Sequence, residues 1–156
     1  MRRLLVVEDG REYSEAFRAL ATRASAPLEV VRAGDLGEAR ACLDDGGTDA
    51  VFLDVVFDRT APERLAGDPA ALIARFDGDR ARATRFLADH QGFFVLDALA
   101  PRLPRGTRVV LAHDFASEPQ RLAALRERVP GLVGLPDGAS ATDALRLLLD
   151  SGSEIG

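Results

Sequence analysis

Three carboxylates, Glu8, Asp9 and Asp54, stand at or inside apolar runs: "RLLVVED" closes on the first two, and "DAVFLDVVF" (49–57) holds the third. An ionised carboxylate within such a run is costly unless the chain delivers it to a polar place. If both runs are strands that end at one crevice, the three acids meet there. Like charges repel by about 1 kcal/mol per pair at 4 Å in water, and by about 4 at an effective dielectric of 20. A cation relieves that repulsion, and Mg²⁺ suits the site: it favours oxygen ligands, keeps several waters and takes only a couple of carboxylates. Glu8, Asp9 and Asp54 are ligands of the right type, and the backbone carbonyl of Val56 offers another. A second reading stays open, in which the acids cap helix N-termini or end solvated loops. His113, at the end of "TRVVLAH", has three readings. It donates to a bound anion, titrates as a second group, or is a neutral strand-end histidine bonded to backbone.

Positioning these residues requires a particular order of elements. Strands are expected at 3–8, 28–33, 49–57, 107–113 and 131–136, each a short run rich in Val, Leu or Phe. The run at 49–57 is continuously apolar apart from Asp54, as in a strand covered on both faces. Helices are expected at 11–25, with Tyr13, Phe17, Leu20 and Ala21 inward and Pro27 as its stop, and from the N-cap Asp35 onward. In that second helix Leu36, Ala39, Cys42 and Leu43 face the core, and Gly46 and Gly47 end it. A third helix begins at Gly92, a fourth follows the N-cap Ser117 with Pro119 in its first turn, and a last one spans "SATDALRLLLD". Alternating strands and helices imply a doubly wound, mainly parallel sheet with helices on both faces; if its order is 2-1-3-4-5, strands 1 and 3 flank the crevice where ligands bind. Residues 58–91 break the alternation and are expected to be partly helical, with helices opened by Asp68-Pro69 and over 81–89, interrupted at Asp77-Gly78-Asp79.

Composition limits the alternatives. The 156 residues suit one domain over 1–150 followed by a flexible tail at 151–156. A net charge of −5 argues against a general nucleic-acid binder. No run is long enough for a signal core or a membrane span, and the single Cys42 cannot form an internal disulfide, so a cytoplasmic protein is the simplest reading. All 20 basic residues are arginine.

The acidic pair of "LLVVEDG", followed some 45 residues later by "VFLDVVF", resembles the receiver domain of two-component response regulators. The resemblance covers 3–57 and 92–150, with Gly92 at the start of helix 3, and makes 58–91 an insertion after strand 3. It implies a flavodoxin-like, doubly wound (βα)5 fold with a parallel sheet in order 2-1-3-4-5, Asp54 as the phosphoacceptor, and Mg²⁺ held by Glu8, Asp9, Asp54 and the Val56 carbonyl. It also implies a histidine kinase or phosphotransfer protein as donor and a separate downstream protein as target, without nucleic acid or membrane; whether the chain is a homodimer is left open. Receivers place Thr or Ser at the end of strand 4, where this chain has His113 or Ala112, and Lys before the proline after strand 5, where it has Leu135 before Pro136. The aromatic residue often found in strand 5 is missing, with Leu132 near that place. The insertion carries Arg59, Arg64, Arg75, Arg80, Arg82 and Arg85. Either one of them replaces the absent lysine or they form a solvated helix face paired with nearby aspartates.

Three functions follow for comparison. The first is an atypical, stand-alone receiver in phosphorelay signalling, which is not an enzyme beyond its own phosphorylation and dephosphorylation. The second is a pseudo-receiver, a protein-binding module that works without phosphorylation. The third, an independent α/β enzyme, finds no GxGxxG or GxxxxGK[ST] motif, and Asp54 and Asp58 are too far apart for the DxD of haloacid-dehalogenase-like phosphatases.

Overall fold

The computed structural model describes residues 1–150; the expected tail at 151–156 lies outside the described residues. Five strands, β1 (Arg2–Val7), β2 (Leu28–Ala33), β3 (Ala50–Leu53), β4 (Arg108–Leu111) and β5 (Leu132–Gly134), form a parallel sheet in the order β2-β1-β3-β4-β5. Among the described residues seven α-helices accompany them: α1 (Glu12–Arg23), α2 (Leu36–Asp44), α3 (Pro69–Arg75), α4 (Arg80–Asp89), α5 (Gln91–Leu99), α6 (Pro119–Arg128) and α7 (Ala141–Leu149).

Alternate residues of each central strand face opposite cores, which is why their runs are apolar throughout. Leu4, Val6, Phe52 and Val110 pack with Phe17 of α1 and with Ala144 and Leu148 of α7. Leu5, Val7, Val51, Leu53, Val109 and Leu111 pack on the other side with Ala39 of α2, Val95, Leu96 and Leu99 of α5, and Val129. The helix signals act as expected at several ends. Asp35 caps α2 through the Glu38 amide, and Ser140 and Asp143 form a reciprocal capping box on α7.

Four boundaries differ from expectation. β3 stops at Leu53 rather than running to Phe57, because its neighbours β1 and β4 end at the residues paired with Leu53, namely Val7 and Leu111. Phe57 is nevertheless buried: the chain turns back and its amide donates to the Ala88 carbonyl, 2.8 Å away. The end of the run at 49–57 is therefore apolar to meet the segment that follows, not to extend a strand. Similarly, β4 ends two residues before His113 and β5 ends before Leu135-Pro136. Glu118, not Ser117, stands at the N-cap of α6; its amide bonds the Phe115 carbonyl, so a turn occupies 115–118 and the helix opens at Pro119. α1, as expected, ends before Pro27, and Ser25 beyond its C-cap takes a left-handed φ of 51°.

Residues 58–91 contain α3 and α4 and a small core of their own. Leu72, Ala83 and Leu87 pack with Leu65, Phe76, Phe86 and Phe94, and Phe94 also belongs to the main core on the α5 side. Gln91 fastens this unit to the sheet domain. Its buried amide oxygen accepts from the Ala66 amide (2.6 Å), and its amide nitrogen donates to the carbonyls of Ala66 and Leu87 (3.1 Å each). Next to it, Gly92 lets α5 cross the end of β3, since a Cβ there would collide with the Asp54 carbonyl oxygen.

Removing the Gln91 amide strands buried polar groups of Ala66 and Leu87, each worth about 1–3 kcal/mol. Gln91→Ala is expected to lower the denaturant midpoint by the equivalent of roughly 2–4 kcal/mol. Hydrogen exchange should then accelerate in α3 and α4 before it does in β1 and β3.

Candidate functional site

The paired residues Val7, Leu53 and Leu111 put Glu8, Asp54 and Ala112 at the next level, where the sheet opens at its carboxyl edge. The Asp54 amide donates to the Val7 carbonyl and the Ala112 amide to the Leu53 carbonyl, both at 2.9 Å, so this level is held by the last backbone bonds of the ladder. By the alternation of the strands, Glu8, Asp54 and Ala112 face the α1 and α7 side.

The acids have different local roles. Glu8 is fully buried, and its two oxygens accept from the amides of Tyr13 (3.0 Å) and Ser14 (2.7 Å). These are amides of the first turn of α1, whose N-cap Arg11 supplies no side-chain acceptor, so Glu8 caps the helix from the strand. Asp9 is half-buried; its Oδ2 accepts from the Arg59 amide (2.6 Å) and the Thr60 hydroxyl (3.3 Å). Arg32 of β2 steadies this loop from below, donating from Nε to the Gly10 carbonyl (2.6 Å) and from a terminal nitrogen to the Asp9 carbonyl (3.0 Å).

Asp54 accepts one bond at Oδ1, from the Val55 amide (2.9 Å). Its pKa is raised to about 6, first by burial, against the lowering effect of the Val55 amide, and further by the charges of Glu8, Asp9 and Glu12. Tyr13 borders the same place. Its ring centroid lies 4.4 Å from that of Phe52, and burial together with Asp54 and Glu8 raises its phenol pKa. The sequence placed Tyr13 on the inward stripe of α1 but held no signal that this stripe reaches the acids.

The donor chemistry fits Mg²⁺ in part. The second oxygens of Asp9 and Asp54 accept no hydrogen bond from the described residues, and a cation would relieve the repulsion that adds to burial in raising the Asp54 pKa. Glu8 keeps free lone pairs but has both oxygens committed to α1. Among the described residues no three His, Cys, Asp or Glu side chains are grouped closely enough to hold a metal. Two carboxylates, a carbonyl and water are a set that Mg²⁺ accepts. Val56 follows in the loop two residues beyond Asp54 and is 45% exposed.

His113 requires a correction. The strand register puts Ala112 beside Asp54, and His113 falls on the other side of the sheet. Its Nε2 pairs with Glu118 Oε1 at 2.7 Å, and its ring lies between Phe93 and Phe115, with centroids 5.1 and 4.7 Å away. Arg121 completes this cluster by pairing with Glu118 and lying 3.9 Å over Phe93. Leu135 is buried in the core shared with Val110 and Leu148, on the same face as Asp54, so this position presents only hydrocarbon towards the acids.

No protein-family model matches the sequence, and no curated protein matches it. Solved structures match over the whole chain. A CheY-like response regulator receiver domain protein from Methanospirillum hungatei JF-1 superposes with a TM-score of 0.59 at 15% identity, covering 100% of this chain and 99% of that one. A response regulator from Burkholderia pseudomallei, solved with a phosphorylated aspartic acid, a calcium ion and citrate, gives 0.58 at 14% identity over 99% of this chain and 71% of that one. The Vibrio cholerae chemotaxis protein CheY4 gives 0.57 at 17%, covering 95% and 96%. The chain thus has the fold of response-regulator receiver domains, with a parallel sheet in the order 2-1-3-4-5. None of its described helices is long and apolar enough to cross a membrane.

The raised Asp54 pKa has a signed consequence. Between about pH 4 and 6 the folded state holds a proton that the unfolded state has released, so stability falls as pH rises through this window. The effect is at most about 3 kcal/mol, from a shift of roughly two units. In metal-free buffer, Asp54→Asn is expected to gain thermal stability over wild type at pH 7.5, with the difference shrinking towards pH 4.5. A pH-independent difference would contradict the assignment.

Proposed function

We propose that this chain is an atypical receiver in phosphorelay signal transduction, with Asp54 as phosphoacceptor. The supporting observation is the position of Asp54: the first residue past a central strand, with one oxygen unengaged among the described residues and a pKa raised by burial and then by three acids, in a fold shared with receivers. In the transfer, an Asp54 oxygen forms a bond to phosphorus. The donor's P–N bond, in a phosphohistidine of a kinase or phosphotransfer protein, breaks with its electron pair and a proton going to the imidazole. Mg²⁺ bound beside Asp54 would neutralise charge on the phosphoryl oxygens. Asp9 and Asp54, with the Val56 carbonyl, are the groups that would hold it, while Glu8 adds negative charge from behind and keeps α1 in place. Such a domain carries a modified residue to a partner rather than turning over a substrate, and changes its protein contacts on modification.

The second reading, a module that binds its partner without phosphorylation, is favoured by two observations. Ala112 and Leu135, on the Asp54 face, have no donor for a phosphoryl oxygen, and the Glu8 oxygens are already bonded to α1.

Intact mass after incubation with Mg²⁺ and a small phosphoramidate separates the two. The first reading expects a labile gain of one phosphoryl group that is absent from Asp54→Ala. A folded, Mg²⁺-binding protein that gains nothing from either a small donor or a phosphorylated histidine protein would support the second.

A further inference from the structure

We propose that Arg59 is the side chain that holds a phosphoryl group on Asp54, transferring its guanidinium from Glu12 to the phosphoryl oxygens. This deepens the reading of Asp54 as phosphoacceptor and rests on it. A phosphoryl group brings about one and a half to two negative charges. It would arrive where Glu8, Asp9 and Glu12 already disfavour a single one. The segments after β4 and β5 supply no counter-charge, since Ala112 and Leu135 are apolar. Arg32 is close, but its guanidinium is committed to the carbonyls of Asp9 and Gly10.

Within 58–91 most arginines are engaged elsewhere. Arg64 pairs with Asp35 and Arg85 with Asp89, while Arg75 and Arg82 lie over the rings of Phe86 and Phe76. Arg59 is different, because its backbone is fastened to the site by the 2.6 Å bond from its amide to Asp9 Oδ2. Its guanidinium pairs with Glu12 at 3.0 Å, and the charges of Asp58 and Asp9 reach it as well. The pair lies against the β1–α1 loop: a Cβ on Gly10 would come within 2.6 Å of an Arg59 terminal nitrogen.

The energetics favour exchange. The two side chains are 62% and 67% exposed, and an exposed pair of this kind contributes only about 0–1 kcal/mol. A guanidinium on phosphoryl oxygens makes stronger, paired charge-assisted bonds. Moving from Glu12 breaks no covalent bond and returns an exposed carboxylate to water. The Arg59 amide stays on Asp9 throughout, so the side chain turns about a fixed anchor.

The test uses the full chain as wild type, Arg59→Ala, Arg59→Lys and Arg85→Ala, each checked for an unchanged thermal midpoint. Beryllofluoride with Mg²⁺ serves as the phosphoryl analogue, followed by fluorine NMR, and Mg²⁺ alone is titrated by calorimetry. Arg59→Ala should weaken beryllofluoride binding about tenfold or more, Arg59→Lys should recover part of it, and Arg85→Ala should match wild type. Mg²⁺ alone should bind Arg59→Ala as tightly as wild type or more so, because a positive charge near Asp9 has gone. Unchanged beryllofluoride affinity in Arg59→Ala, or a parallel loss of Mg²⁺ affinity, would overturn the proposal and leave the phosphoacceptor reading standing. A wild type that binds neither beryllofluoride nor a phosphoryl group would remove both.

Discussion

The row of paired residues Val7, Leu53 and Leu111 is the constraint on which the rest of the site depends. Three parallel strands end at one level because their backbone bonds stop there, and the sequence changes from apolar to polar one residue later at Glu8 and Asp54. Inside the row, side chains satisfy two cores at once. Beyond it, the same alternation aims Glu8, Asp54 and Ala112 at one face and His113 at the other. The pleat thereby decides which side chains share the crevice, independently of their chemistry.

Charge at this level is managed unequally. Glu8 is fully buried yet well accommodated, since two helix amides donate to its oxygens and the positive end of α1 lies over it. Asp54 is part-buried with one amide and three acidic neighbours, so burial first and then those charges raise its pKa to about 6. Segment 58–91 begins beside this imbalance and reaches into it through Arg59 and Thr60 on Asp9. It is held at its far end by Gln91, and it contributes its own small core in between. The segment is thus tied to the acids at one end and to the start of α5 at the other.

Much of this was legible from residue order, and the failures have identifiable causes. β2 and the Asp35 cap match because local chemistry alone decides them. The helices within 58–91 match nearly as well, since Asp68-Pro69 and Asp79 are strong starts. Phe57 misled because burial by a following segment leaves the same apolar signature as burial in a sheet. Ser117 misled because the better-placed turn, closed by Phe115, moves the helix start onward by one residue. His113 was drawn to the site by its chemistry, whereas a one-residue register difference sends it to Phe93, Phe115 and Glu118.

By itself the sequence determined the alternation of strands and helices, the parallel sheet it implies, and the convergence of Glu8, Asp9 and Asp54 near one edge. Those follow from hydrophobic period and from the cost of burying charge, both of which are local properties of the chain. Only the tertiary structure decided that Glu8 faces the α1 amides, that Tyr13 borders Asp54, and that Arg59 alone of the insertion's arginines is anchored on Asp9. These depend on which residues distant in sequence become neighbours, and on the side of the pleat each one takes. Spacing along the chain places a residue near an edge, but strand register and helix docking choose its partners.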